Sequence, residues 1–286
     1  EGNPIMGALS DSAIRDEKGN MENYKYYNDN NFVSSYRISK FVVDWMRERG
    51  DMRLPKLAEM MIKLDGKNAD PTDLANYKGV IPNPGATGDN NNTDMENGSQ
   101  SRLKSKWYLE PVGPSAMNIG YPEQEFILAE AALRGWTEDD PETHYLNGIR
   151  AAHEFLGVSS ADTRAYLGHE KVQFKGSDTE KLGKIITEKY LNFFMQGGNE
   201  AYFELRRTGY PDFSAYLTHN TDQIYNDGYL PLRYRYPQSE IDNNNAQVSE
   251  AIKRLDKGDD RNSRMWLLQG SDPLFNPAPF PFRYKN

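Results

Sequence analysis

The sequence predicts a mostly α-helical protein: tetratricopeptide-like helix pairs joined by long irregular loops, with a few short strands. Three observations lead there. Apolar residues recur at helical spacing through residues 121–208, with stop signals between the runs. Residues 63–106 lose that periodicity and are dense in Asn, Asp, Gly and Pro. The chain is also polar throughout, with 37% hydrophobic residues and a mean hydropathy of -0.83, which suits a folded body carrying long decorated loops.

The 286 residues are long enough to bury a sizeable core,. We read one domain over 1–286, comprising a loop-rich 63–108 insertion, a helical 121–208 and a closing segment 211–286. A net charge of -8 and the lack of a basic stripe with interleaved aromatics argue against a nucleic-acid partner,. With no cysteine there are no disulfides, zinc-thiolate sites or cysteine nucleophiles,. No apolar run is long enough to span a membrane, and EGNPIMGALSDSAIRDEKGN at the start lacks the profile of a signal peptide,. Opening without an initiator Met, the chain reads as a mature or truncated fragment.

In chain order, the first helix lies in SYRISKFVVDWMRERG, residues 35–50. Ile38, Phe41, Val42, Trp45 and Met46 form its apolar stripe, a serine caps it and Gly50 stops it,. In the turn that follows, Gly50-Asp51-Met52-Arg53-Leu54-Pro55, Asp51 and Arg53 are placed to pair or cap. After the aperiodic excursion, Pro122 starts a helix through EQEFILAEAALRG, whose Ala129, Ala131 and Ala132 allow close approach of a partner. That partner begins at Asp140-Pro141, carries Tyr145, Ile149, Ala152 and Leu156 on one stripe, and ends at Gly157,. A third helix is expected from a cap at Asp178, with Leu182, Ile186, Tyr190 and Phe193 inward and Gly197-Gly198 as its stop.

Next comes NEAYFELRRTGYPDF, residues 199–213. Asn199 is the expected cap, Ala201, Tyr202 and Leu205 share a face, and Gly209 with Pro211 ends the helix. Arg206 and Arg207 then fall in the last turn, where a guanidinium can bond orphan carbonyls or a carboxylate. A final helix carries Val248, Ala251, Ile252 and Leu255 and ends at Gly258. The Pro- and Phe-rich tail reads as extended.

Catalytic signatures do not stand out. His144, His153, His169 and His219 show no metal-ligand spacing and are expected on the surface or in caps. There is no glycine-rich phosphate loop and no nucleophile elbow, and no acid pair is legible among the 42 Asp and Glu,. Neither a metal nor a cofactor is expected; the Asx-rich run 89–96 offers oxygen ligands but fits no EF-hand. The remaining candidates are rings on polar, aperiodic segments, suited to stacking on sugars while Asn takes the hydroxyls. They are Trp107, Tyr108, Tyr77, Tyr24 and Tyr26, with Asn91 as a hydroxyl partner.

Six landmarks can be taken together. They are Asn3-Pro4; the helix leading to Asp51-Met52-Arg53-Leu54; Tyr121-Pro122-Glu123 through Ala129-Glu130-Ala131 to Gly135; EAYFELRRTGYP at 200–211; Arg233 to Asn245 with Tyr236-Pro237 and Glu240; and Asp260 to Trp266. In this order they resemble the second half of the SusD/RagB family of outer-membrane nutrient-binding lipoproteins, in its starch-binding-associated branch. The chain departs from the pattern where Met52 replaces a proline, and its tail is longer. The resemblance implies a mostly helical protein that binds glycan, with peptide the lesser option, without catalysis. It also implies a cell-surface position through a lipid anchor absent from this chain, and a SusC-type TonB-dependent transporter as partner. Alternatives are a glycoside hydrolase using the same rings and acids, and a tetratricopeptide scaffold that binds peptides.

Overall fold

The computed structural model describes residues 6–15, 36–64, 69–80, 98–109, 115–213, 216 and 231–263. These residues are mostly helical, with one two-stranded antiparallel sheet in which β1 (Ala13–Arg15) pairs with β2 (Ala116–Ile119). Two hydrophobic cores organise them.

The first core forms on α1 (Lys40–Glu48) and the short α2 (Leu54–Leu57). The expected stripe is inward: Ile38, Phe41, Val42 and Met46 are buried, while Trp45 is half-buried at the edge. Ser39 is the N-cap residue, though its hydroxyl makes no capping bond. Gly50 stops the helix in the left-handed region at φ 63°,. Gly79 meets a second backbone requirement. A Cβ there would lie 2.6 Å from the main chain of Ser39 and Lys40, so only glycine lets the 77–80 segment pair with the start of α1. That pairing is made through Lys40 N to Val80 O at 2.7 Å and Val80 N to Ile38 O at 2.9 Å.

The second core lies among α3 (Tyr121–Leu133), α4 (Pro141–Phe155), α5 (Ser160–Gly168) and α6 (Asp178–Asn192). The helices α3 and α4 fold back on each other as expected, with Phe126 and Ala129 facing Tyr145 and Ile149. Asp140 caps α4 by accepting from the Glu142 and Thr143 amides,. The sequence reading missed α5. It also placed the α6 cap one residue late: the cap is Ser177, in a reciprocal capping box with Glu180,. Gly197-Gly198 does not stop α6 either. That helix ends at Asn192, Met195 takes φ 60°, and Gly197 caps α7 (Gly198–Thr208), so Asn199 lies inside α7.

Leu191 of α6 reaches the first core, so α6 joins the two. The last helices among the described residues are α8 (Gln238–Asn243), also missed, and α9 (Asn245–Ile252), whose Val248 is buried. Leu255 and Gly258 follow α9 in turns. The tail from 264 and the Asx-rich run 89–96 lie outside the described residues. Among the described residues no helix is long and apolar enough to cross a membrane.

Candidate functional site

Tyr77, Trp107 and Tyr108 are 1%, 3% and 5% exposed and belong to the first core, contrary to the expectation that they present faces to a ligand. The reason is long-range. The face of α1 needs cover, and the aperiodic segments at 74–80 and 103–108 return to supply it. Trp107 packs edge-on against Phe194 with ring centroids 5.9 Å apart. The Tyr77 hydroxyl donates to Pro71 O at 2.9 Å, and burial, then Glu59 and Asp70, push its pKa up to about 12,. Tyr24, Tyr26 and Asn91 lie outside the described residues.

Between the two cores sits a buried polar centre built on the Asp51–Arg53 turn. The Arg53 side chain, 1% exposed, donates to Asp51 through Nε at 2.9 Å and Nη2 at 2.6 Å. Nη2 also reaches Glu188 of α6 at 2.7 Å. Tyr166 of α5 hydrogen-bonds Glu188 in turn. Burial alone would raise the Asp51 carboxyl, but Arg53 and His153 outweigh it and hold it below the usual carboxylate range,. One guanidinium thus joins the α1–α2 turn to α5 and α6.

His153 of α4 completes this centre and corrects the expectation of a surface histidine, since it is 0% exposed. Its Nε2 lies 3.6 Å from Asp51, and its Nδ1 lies 3.2 Å from the Thr163 hydroxyl. That hydroxyl already donates to Ser159 O at 2.9 Å, which assigns the Nδ1 proton of neutral His153 to Thr163,. The tilted ring of Tyr166 covers it at a centroid distance of 4.9 Å. Burial first, then Arg53, lowers its pKa to about 3, against the pull of Asp51. The unfolded chain therefore binds the extra proton and the folded one does not, so stability is lost as pH falls below about 6.5. We expect this group to remove about 2 kcal/mol between pH 8 and pH 5. Denaturant unfolding across that range checks it, and a flat profile would refute it. Of the other histidines, His144 lies 2.9 Å from Glu125, His169 accepts from Lys171 N at 3.3 Å, and His219 lies outside the described residues.

On α7, Arg206 and Arg207 leave their own helix end to Gly209, at φ 81°, and reach elsewhere. Arg207 grips Glu130 of α3 with two bonds of 2.6 Å and Glu204 with one of 2.5 Å. The pairing raises the Arg207 pKa against burial and, together with Arg134, holds Glu130 low. Since the Arg207 side chain is 42% exposed, solvent screening discounts the pair,. We expect Arg207→Ala to cost about 1 kcal/mol in denaturant unfolding. A change below a few tenths would sink the structural role.

Arg206 does something different. Its guanidinium lies 4.5 Å from the Tyr202 centroid and 4.9 Å from that of Phe203, and it donates to Leu232 O at 2.7 Å,. Tyr234 packs on Tyr202 at 5.5 Å. Hydrogen bonds hold the two tyrosines: Tyr202 donates to Pro231 O at 2.7 Å, and Tyr234 to Asn199 Oδ1 at 3.3 Å. Yet Tyr234 stays 64% and Phe203 40% exposed. Three rings and a guanidinium thus form a shelf that is anchored from below and open to solvent. The sequence reading missed these rings, although Phe203 falls off the Ala201, Tyr202, Leu205 stripe and so has no inward place. Among the described residues no group of three or more His, Asp or Glu could hold a metal ion.

The SusD-like family described as starch-binding associating with outer membrane matches residues 1–237. The chain belongs to that family. A SusD homolog from Bacteroides fragilis NCTC 9343 is 31% identical, with a TM-score of 0.81 over 92% of this chain and 59% of that one. A Bacteroides vulgatus ATCC 8482 protein, named as a candidate outer membrane protein in nutrient binding, is 30% identical with a TM-score of 0.82. That match covers 93% of this chain and 59% of the other. A chitin-binding protein, 24% identical, shares the fold with a TM-score of 0.70 over 92% of this chain and 56% of its own. This SusD-like chain spans 59% of the length of the first two structures. A comparison with curated proteins finds no match.

Proposed function

We propose that this SusD-like chain binds neutral glycan on the Tyr202–Phe203–Tyr234 shelf without turning it over. In the full-length protein the glycan is passed, at the cell surface of the outer membrane, to a TonB-dependent transporter of the SusC type. The observation that carries the reading is the shelf. Exposed rings held in place, Tyr234 by its hydrogen bond and Phe203 by Arg206, are matched to the C–H faces of sugars at little entropic cost, and the neighbouring Asn199 and Arg206 are polar groups suited to hydroxyls,. The family's description as starch-binding supports the ligand class. Tyr24, Tyr26 and Asn91 remain proposed contacts.

A hydrolase would need two carboxylates facing each other across a cleft. Asp51, Glu130 and Glu188 are instead engaged by Arg53 and Arg207, which favours binding over catalysis. Calorimetric titration with maltoheptaose and chitohexaose tests the reading. A dissociation constant in the micromolar-to-millimolar range is expected for one of them, weakened about fivefold by Tyr234→Ala or Phe203→Ala. A double variant that binds as tightly as the parent would remove the shelf from the site. Reducing sugar released above a blank would restore the hydrolase reading.

A further inference from the structure

We propose that the cleft between α4 and α5 is a second carbohydrate site, selective for sugars that carry a carboxylate. The choice of a sugar rests on the glycan-binding reading above; the charge preference rests on the cleft itself. The cleft is open on one side, has a volume of about 520 Å³ and is lined chiefly by Arg150 and Glu154 of α4, by Val158, and by Ser160, Arg164 and Leu167 of α5. That volume is in the range of small-ligand sites.

Its electrostatics set it apart in a chain of net charge -8. Most described arginines that reach a carboxylate do so closely, as Arg53, Arg134, Arg207 and Arg233 do at 2.6–2.8 Å. The two in the cleft do not. Arg150 donates only to Asn147 Oδ1 at 3.0 Å, and among the described residues no hydrogen bond or ion pair engages Arg164. Glu154, four residues on from Arg150, forms no ion pair with it either. Two exposed guanidiniums therefore face one cleft with their donors largely unspent, and guanidinium geometry suits a carboxylate held by two bonds.

The remaining walls match the rest of a uronic acid. Glu154 and the exposed Ser160 hydroxyl suit ring hydroxyls, and half-buried Val158 and Leu167 offer an apolar strip to a C–H face. Thr163, which also lines the cleft, is buried and bonded to Ser159 and His153, so this wall is fixed by the polar centre. A neutral sugar would leave both guanidiniums unpaired on desolvation, which costs affinity.

The test is a titration of the isotope-labelled 286-residue chain with digalacturonate, followed by amide shifts and run beside its dimethyl ester, free glutamate and cellobiose. The acid alone is expected to shift amides of residues 150–167. Affinity should fall about tenfold in Arg164→Gln, less in Arg164→Lys, and fall further as salt is raised. Circular dichroism confirms that the variants fold. Equal binding of acid and ester, an Arg150→Gln/Arg164→Gln protein that binds like the parent, or shifts centred on α7 would each overturn the charge-selective cleft. Equal binding of glutamate would overturn its selectivity for sugars. Cellobiose shifts on the shelf report on the neutral site alone, so the two proposals fail separately.

Discussion

Replacing Arg53 with methionine is expected to lower stability by about 3–5 kcal/mol, because it keeps most of the volume and removes the guanidinium bonded to two buried carboxylates,. Asp51 and Glu188 are 0% and 1% exposed, so water cannot take over from the guanidinium. In thermal unfolding the midpoint should drop by on the order of 10 °C. The pH dependence should change as well. In the parent, Arg53 outweighs the burial that would raise the Asp51 carboxyl. Without Arg53 that burial dominates, and the folded state takes up a proton more readily than the unfolded chain does. The variant's deficit should therefore shrink as pH falls towards the carboxylate range, with the sign opposite to the parent's acid loss. Adding Glu188→Gln to Arg53→Met should recover part of the loss by removing one unpaired charge. An Arg53→Met protein within about 1 kcal/mol of the parent would show that this centre does not hold the two cores together.

Phe126→Ala is the second large effect, at about 3–5 kcal/mol, since the ring is 0% exposed between α3 and α4,. Its geometry makes a sharper test possible. A Cβ built on Gly148 of α4 would lie 2.7 Å from Phe126 Cε1 and 2.9 Å from two further ring carbons. In the parent, Gly148→Ala should destabilise by about 1–3 kcal/mol, because ring and helix must move apart. In the Phe126→Ala background the obstruction is gone. There the same change should stabilise by about 0.5–1 kcal/mol, as alanine is the better helix former. A double-mutant cycle by denaturant unfolding reads the inversion of sign. Gly148→Ala with the same effect in both backgrounds would mean that the α3–α4 crossing is not set by this contact.

Much of this was legible locally. The apolar period placed α1, α3, α4 and α6, Asp140 and Gly50 marked two ends, and the spacing of Asp51 and Arg53 announced their pairing. Even His153 could have been read: it lies four residues after Ile149, on the stripe of Tyr145, Ile149 and Ala152, and the structure buries it with them. The short α5 and α8 were missed because neither buries enough of one face to print a period. Among their residues only Thr163 and Tyr166 of α5 are buried.

What the sequence by itself determined, then, is where this chain turns helical, which face of each long helix is apolar and to which family it belongs. These follow from a 3.6-residue period, from end signals only a few residues long and from motifs kept in order. Which rings meet solvent was decided by tertiary structure alone. Tyr77, Trp107 and Tyr108 sit in aperiodic segments that carry no local record of burial, and they went inside because α1 needed cover. Tyr234 stayed out because it packs on Tyr202, whose own ring is backed by Arg206. The contacts that settle such questions join residues far apart, 135 positions for Arg53 with Glu188 and 77 for Arg207 with Glu130. At that separation the partner is chosen by the packing of whole helices, which no local pattern encodes.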